Sequence, residues 1–550
     1  MQPFSITFPD NTTKKFDAPV TGRSLVSSFS GKSPVVALRV NNELFSLTRS
    51  IDVRAKVEPV TVETTEGSNV CRRTLCLVLA AAERELYPSL RLLVGHSLGY
   101  GYYYTLESRG NNISIDLRAL GDKMRAMIQA NLPVTSRYVS YEEALELFRD
   151  TNQPDTYQLL TQTSKPKILI NTLGNYSDMY FQPLLDGTGQ LSVFELMPYG
   201  EGFLLRFPPT AHPEKLADFE DIPQLFSVYS EYKKWGKLIG VSSVGQLNDL
   251  VARRKAKDFV EITETLQNKK IAEIADKISE KKTVRVVLIA GPSSSGKTTT
   301  SKKLSMQLRV LGYDPILISL DDYYRGKENT PIDEDGKPDF ECLEALDVPL
   351  LNEILVSLFK GDEVELPSFD FKTGSRKYTG KKLKMNERTI LILEGIHGLN
   401  DNLTPLVPAE YKFKIYLSAL TQLNLDDHNR IPTSDNRLLR RIVRDAQFRG
   451  KGAAGTIAMW ASVQRGERLH IFPFQDKADA MFNTALDYEL SVLKVFAEPL
   501  LRAVKPTERE YTEASRLLMF LNNFMPITPS YVPGQSIIRE FIGDSDFKYS

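Results

Sequence analysis

The residues with the clearest chemical use are Gly291, Pro292, Ser293, Ser294, Ser295, Gly296, Lys297 and Thr298, which fit G-x-x-x-x-G-K-[ST] at every fixed position. Glycines let successive backbone N–H groups curl around phosphate oxygens, and the positive end of a following helix adds to that field. In this pattern Lys297 sets a cation between the β- and γ-phosphates of ATP, the Thr298 hydroxyl is a ligand for Mg2+, and Thr299 continues the cradle into the helix. Two acids stand at the ends of later apolar runs: Asp321 after PILISL (315–320) and Glu394 after TILIL (389–393). The carboxyl ends of strands face the ligand crevice in open α/β sheets. A carboxylate at Asp321 can take the proton of an acceptor hydroxyl as the γ-phosphoryl moves, and both acids can bear on Mg2+. Taken alone, Asp321 also fits a helix N-cap or a turn.

A further cluster, Arg437, Arg440, Arg441 and Arg444 in RLLRRIVRD, has helical spacing that sets the four on one face, with Leu438, Leu439, Ile442 and Val443 largely opposite. A charge run of this kind is usually a solvated face. Four arginines with no interleaved acid repel one another unless an anion lies between them, and a triphosphate would supply one. The expectation is a lid helix that brings Arg437, Arg440 and Arg444 to phosphates.

These groups need a scaffold that the local pattern supplies. VRVVLIA (284–290) is a continuous apolar run, as expected of a strand buried on both faces of a parallel sheet. Leu304, Leu308 and Leu311 stripe a helix that stops at Gly312. Strand, glycine loop and helix in that order are the confirming context for the phosphate loop. The expected architecture is multidomain, α/β and α+β. A C-terminal P-loop domain at 283–505, a parallel sheet with flanking helices, follows a small β-rich unit at 1–65, an α+β region at 66–235 and a polar helical connector at 236–282. Residues 506–550 form an appendix without assignment.

With 550 residues, 42% hydrophobic and 25% charged, the chain has an ordinary globular composition and more than one core. Lys+Arg and Asp+Glu are both 69, so no global field draws it to nucleic acid or to an anionic membrane. Three cysteines (Cys71, Cys76, Cys342) without a CxxC pair argue against a disulfide scaffold and a cysteine-built zinc site, and fit a reducing cytosol. The opening MQPFSITFPDNTTKKF lacks an apolar h-region and no run reaches the length of a membrane span, so a soluble cytoplasmic protein is expected.

The order and local detail of these pieces resemble the uridine kinase and phosphoribulokinase group, with Asp321, Tyr323 and Tyr324 standing as that family's strand-two signature. The resemblance spans about two hundred residues and implies an ATP- and Mg2+-dependent kinase whose acceptor is a small molecule, most readily a nucleoside. It makes Asp321 the base, gives Thr298 and Glu394 to Mg2+, and puts Tyr324, Glu341, Phe369 and Phe371 around the acceptor, with Arg437 closing over it. Two departures bear on base choice: Gly374 stands where uridine kinases carry a histidine before SRK, and Phe369 replaces a tyrosine. A third is the insertion TQLNLDDHNRIPTSD ahead of the arginine helix. Residues 1–65 resemble a TGS domain, a ubiquitin-like β-grasp. The LYP segment, GYGYYY, DGTG and GFLLRFP of 66–235 resemble the second additional, editing domain of threonyl-tRNA synthetase. At the positions of that family's HxxxH and Cys/His pairs stand Arg73, Leu77, Tyr180 and Leu184, so binding or regulation is expected there rather than hydrolysis. RNA contact through these regions and homo-oligomerisation are both compatible with the sequence, as is a kinase for another sugar-like alcohol or an RNA-associated ATPase.

Overall fold

The computed structural model describes residues 3–108, 115–332, 336, 338–370 and 373–549. The chain divides into two compact units: residues 1–254, 421–432 and 498–525 form one, and residues 255–420, 433–497 and 526–550 the other. Among the described residues no helix is long and apolar enough to cross a membrane.

The first unit opens on a five-stranded sheet whose order is Thr13–Phe16, Phe4–Thr7, Ala55–Thr61, Val35–Val40, Glu43–Phe45. Phe4–Thr7 runs parallel to Ala55–Thr61 and the other pairs are antiparallel, the mixed order of a β-grasp. The Asn41-Asn42 turn tightens it: both residues take positive φ (48° and 60°), which asparagine tolerates and a two-residue hairpin demands. Next comes the helix Thr65–Leu86, whose first turn is capped by the Thr64 hydroxyl accepting from Gly67 N–H. It is buried along most of its length, beside an antiparallel sheet built from Arg91–Ser97, Gly101–Glu107, Gly202–Arg206 and Glu195–Tyr199.

The stretch expected as one connector, 236–282, is instead cut into pieces. Helix Pro223–Ile239 stops at Gly240 (φ 74°), Val244–Ala252 follows, and Arg254 (φ 61°) breaks the chain again. The final piece, α1 (Ala256–Glu280), belongs to the second unit and buries Phe259, Val260, Ile271, Ile274 and Ile278. The connector expected to be polar thus carries a core-facing side here. The expected appendix is also divided: 498–525 joins the first unit, and 526–550 the second.

The second unit is built on a parallel sheet. Its strands are β1 (Val286–Ala290), β2 (Asp314–Ser319), β5 (Thr389–Glu394), β6 (Lys412–Ser418) and β7 (Ala480–Asn483), in the order β2-β5-β1-β6-β7, with every pairing parallel. All five residues of β1 are buried, as its unbroken apolar run requires. Helices α2 (Lys297–Val310), α3 (Val348–Lys360), α4 (Thr433–Arg449), α5 (Ala453–His470) and the part of α6 (Glu489–Arg502) up to residue 497 complete the unit with a hairpin of β3 (Val364–Asp370) and β4 (Ser375–Leu383).

Candidate functional site

The phosphate loop leaves the carboxyl end of β1 and enters α2. Glycine is required at both ends of it: a Cβ on Gly291 would lie 2.5 Å from the Leu417 carbonyl, and Gly296 has φ +81°. Ser294 also takes positive φ, 59°, a cost that non-glycine residues meet mostly at functional turns. Lys297 Nζ donates to the carbonyls of Gly291 (3.0 Å) and Pro292 (3.2 Å), so its ammonium lies across the loop. The Thr298 hydroxyl donates to Glu394 Oε1 at 3.2 Å, bringing two hard oxygen donors together at the ends of the central strands.

Asp321 sits in the short 3-10 turn 320–323 that follows β2. The residue as a whole is exposed, but burial among the protein atoms around its carboxyl raises its pKa above the usual carboxylate value against the pull of Lys297 and Arg449. Burial likewise pushes Glu394 up to about 7, opposed by Lys297 and aided by Asp321. Glu341 is pushed up to about 7 by burial and by Glu467, with Arg441 and Lys297 opposing. All three acids feel the same ammonium, Lys297, which opposes the rise of each. Neighbouring Asp322 acts on the scaffold instead, its Oδ1 accepting from Phe369 N–H at 3.0 Å and so pinning β3 to the turn. Arg376, in the SRK segment, donates to Asp347 Oδ2 (3.0 Å) and to the carbonyls of Tyr323 and Tyr324 (3.2 Å each), fixing the same turn from β4.

On the acceptor side, the Tyr324 ring packs at 5.8 Å from both Phe340 and Phe369, and its hydroxyl donates to the Phe340 carbonyl at 3.1 Å. Phe340 gave no signal in the sequence, because an aromatic in a proline- and glycine-rich loop belongs to no periodic pattern. Phe371 lies outside the described residues.

The arginine helix differs most from expectation. Both of its faces are buried: Arg437, Arg440 and Arg441 are sequestered along with Leu438, Leu439, Ile442 and Val443. The balancing anions come from the chain. Arg437 pairs with Glu467, Arg440 with Glu489 at 2.6 Å, and Arg444 with Asp445 at 3.1 Å. Arg437 also donates to the Ser293 carbonyl (2.9 Å), Arg440 to that of Ser294 (3.2 Å) and Arg441 to the Ser293 hydroxyl (2.7 Å). As a result α4 is a bracket for the backbone of the phosphate loop, and Arg440, fully enclosed, has no open face for a lid's contact. Arg444 does bear on Asp321, whose charge it favours. Glu467 completes the bracket by accepting from Ser293 N–H at 3.0 Å. A glutamate on a polar helix reads as surface, so the sequence offered no signal for it.

A parallel sheet with a phosphate loop after its central strand, and acids after two neighbouring strands, defines a P-loop nucleotide-binding domain. Residues 286–491 match the family model described as Phosphoribulokinase / Uridine kinase family, and this part of the chain is a P-loop domain of that family. The N-terminal region resembles threonine–tRNA ligases. That of Streptococcus agalactiae serotype Ia is 30% identical over 195 residues, 35% of this chain and 30% of the relative. That of Streptococcus suis strain 05ZYH33 is 32% identical over 197 residues, again 35% and 30%. The chain thus spans only about 30% of the length of the curated relatives it matches. Among solved structures, a putative fructose transport system kinase from Silicibacter sp. TM1040 aligns over 38% of this chain and 98% of its own, with 16% identity and a TM-score of 0.28. A possible uridine kinase from Bacillus stearothermophilus aligns over 36% and 89%, with 18% identity and a TM-score of 0.24.

In the first unit, three of the four positions that would hold an editing site are packed into its interior and the fourth, Arg73, is half-buried. Leu77, Tyr180 and Leu184 lie in one apolar cluster, and Arg73 donates to the Pro183 carbonyl at 3.1 Å. His96 is buried with its ring stacked 5.5 Å from Tyr229, and burial lowers its pKa to about 3. Residues 421–432 of the insertion belong to this unit and carry their own histidine. His428 Nδ1 lies 2.8 Å from Asp178 Oδ2 and 3.3 Å from the Tyr176 hydroxyl, and Asn429 donates to the Met179 carbonyl at 2.8 Å. Burial works against the charge of His428, but Asp178, Asp427 and Asp426 together lift its pKa to about 9. Asp427 in turn accepts from Arg91 at 2.6 Å and from Thr156 N–H at 2.9 Å.

Proposed function

We propose that the second unit transfers the γ-phosphoryl group of Mg·ATP to a hydroxyl of a small molecule, with a nucleoside as the acceptor class to test first. The observation that supports this reading is the convergence of Asp321, Lys297 and the Thr298–Glu394 pair at the ends of adjacent strands. The Thr298 hydroxyl and the Glu394 carboxylate are hard oxygens suited to Mg2+, which when bound would neutralise charge on the phosphates. Lys297 steadies the phosphoryl being transferred, and Asp321 accepts the proton of the acceptor hydroxyl. Its raised pKa makes it a better base than an ordinary aspartate. Tyr324 and Phe369 form the apolar wall against which a base or sugar would lie, and Glu341 is the acid within reach of a sugar hydroxyl. With Gly374 and Phe369 in place of hydrogen-bonding side chains, discrimination among bases should be modest or shifted away from uridine.

A second reading, an RNA-dependent ATPase, draws on the resemblance of the N-terminal region to threonine–tRNA ligases. ADP release measured against a panel of nucleosides, sugar alcohols and tRNA separates the two. Acceptor-dependent release with a phosphorylated small molecule supports the kinase; release stimulated by tRNA alone supports the ATPase.

A further inference from the structure

The last stretch of the second unit, 526–549, lies against the start of α2. It is a folded element: Asp546 N–H donates to the Gly534 carbonyl (2.9 Å), and Arg539 donates to the carbonyls of Pro529 and Val532 (2.8 Å each). Its side chains meet the phosphate loop at three points. Ile537 covers Gly296 so closely that a Cβ there would fall 2.6 Å from Ile537 Cγ2. Glu540 Oε2 accepts from Thr299 N–H at 3.0 Å and from the Thr299 hydroxyl at 2.7 Å. The Tyr549 hydroxyl lies 2.9 Å from Thr299 Oγ1, while Lys302 donates to the Lys548 carbonyl and sits 4.7 Å from the centre of the Tyr549 ring.

The N–H of Thr299 is one of the first donors of α2, which no carbonyl of the helix can satisfy. In a phosphate loop these donors serve the ligand's phosphates, and the helix start favours whatever anion reaches them. A carboxylate and a phosphate are alternative partners for the same N–H. We propose that residues 536–549 form an internal gate on the nucleotide site. In it the Glu540 carboxylate holds the Thr299 N–H that the α-phosphate of an incoming nucleoside triphosphate needs, so nucleotide enters only when this segment releases. The inference rests on reading the loop as a nucleotide site. The closed state lowers apparent affinity by the fraction of molecules that are open, without altering the chemistry that follows.

The test uses the full chain and Mg·ATP as the probe, with affinity measured calorimetrically for wild type, Glu540→Gln and Lys297→Ala. Glutamine keeps the shape but gives up the charge-assisted bond, about twice as strong as a neutral one, so Glu540→Gln should bind ATP at least about tenfold more tightly. Hydrogen exchange of wild type provides a second reading that no variant can spoil: saturating ATP should speed exchange at 538–549 while slowing it in the loop. Unchanged affinity in Glu540→Gln, with binding weakened in Lys297→Ala, would dismiss the gate and leave the nucleotide site standing. Exchange at 538–549 that slows or stays the same with ATP would also dismiss it. If no variant binds ATP, the gate falls together with the reading of the site.

Discussion

Replacing Arg440 with methionine should unfold the second unit more easily rather than merely slow a reaction. Arg440 is fully buried; its Nε and one terminal nitrogen donate to Glu489 Oε2 at 3.0 and 2.6 Å. It also serves the carbonyls of Thr484 (2.9 Å) and Ser294 (3.2 Å). Without it, Glu489 would keep the Asn436 amide as its side-chain partner, and burial already raises the pKa of Glu489 with the guanidinium present. Removing one member of a buried pair costs about 3–5 kcal/mol, because the other charge is left uncompensated. With a urea dependence of about 2–3 kcal/mol per molar, the midpoint should fall by about 1–2 M. The chain has two tryptophans, Trp235 in the first unit and Trp460 in the second, so Trp460 fluorescence in a Trp235→Phe background follows the second unit alone. The double variant Arg440→Met/Glu489→Leu should recover most of the loss, since both charges leave together. A midpoint equal to that of the parent, combined with loss of ATP turnover, would refute this reasoning and return Arg440 to a phosphate-binding role.

Asp321→Asn should lower kcat by about 10²–10⁴-fold while ATP still binds, and single-turnover kinetics give the split. Asp322→Asn should instead raise the acceptor KM, since its carboxylate pins Phe369 N–H; a collapse of kcat in that variant alone would exchange the two roles. Glu394→Gln should shift the Mg2+ requirement upward, an amide being the poorer ligand for a hard cation, and a superimposable Mg2+ titration would remove Glu394 from the metal site. For the first unit, His428 has its folded pKa raised to about 9 from an ordinary 6.5. Its contribution to stability is complete below about pH 6.5 and is lost as pH rises through about 9. Asp426, pushed up to about 8 by burial and by Asp178, acts in the same direction, since the folded state holds its proton longer. Urea midpoints read from Trp235 in a Trp460→Phe background should therefore fall between pH 6.5 and 9, and the slope should lessen in His428→Gln. Stability that is flat or rising over that range counts against the cluster.

What could be read from the chain was local. GPSSSGKT between an apolar run and a leucine stripe specifies strand, loop and helix through consecutive residues, because backbone conformation and helix-start chemistry are set within a few positions. The strand-end places of Asp321 and Glu394 were legible in the same way, because an apolar run ends where a parallel strand meets the crevice. The arginine helix shows the converse. Spacing places side chains on a face, but only the fold determines what that face meets. The partners that join RLLRRIVRD to the phosphate loop and its surroundings lie far off in sequence: Glu489 is 49 residues from Arg440, and Glu467 is 174 from Ser293. The same holds for Glu540, 241 residues from Thr299, and for His428, 250 from Asp178. By itself the sequence determined the phosphate loop, the sheet around it and the likeness of the N-terminal region to a synthetase. Tertiary structure decided which charges are paired, which residues are enclosed and what covers the loop, because electrostatic pairing and burial depend on distance in space, which chain order does not encode.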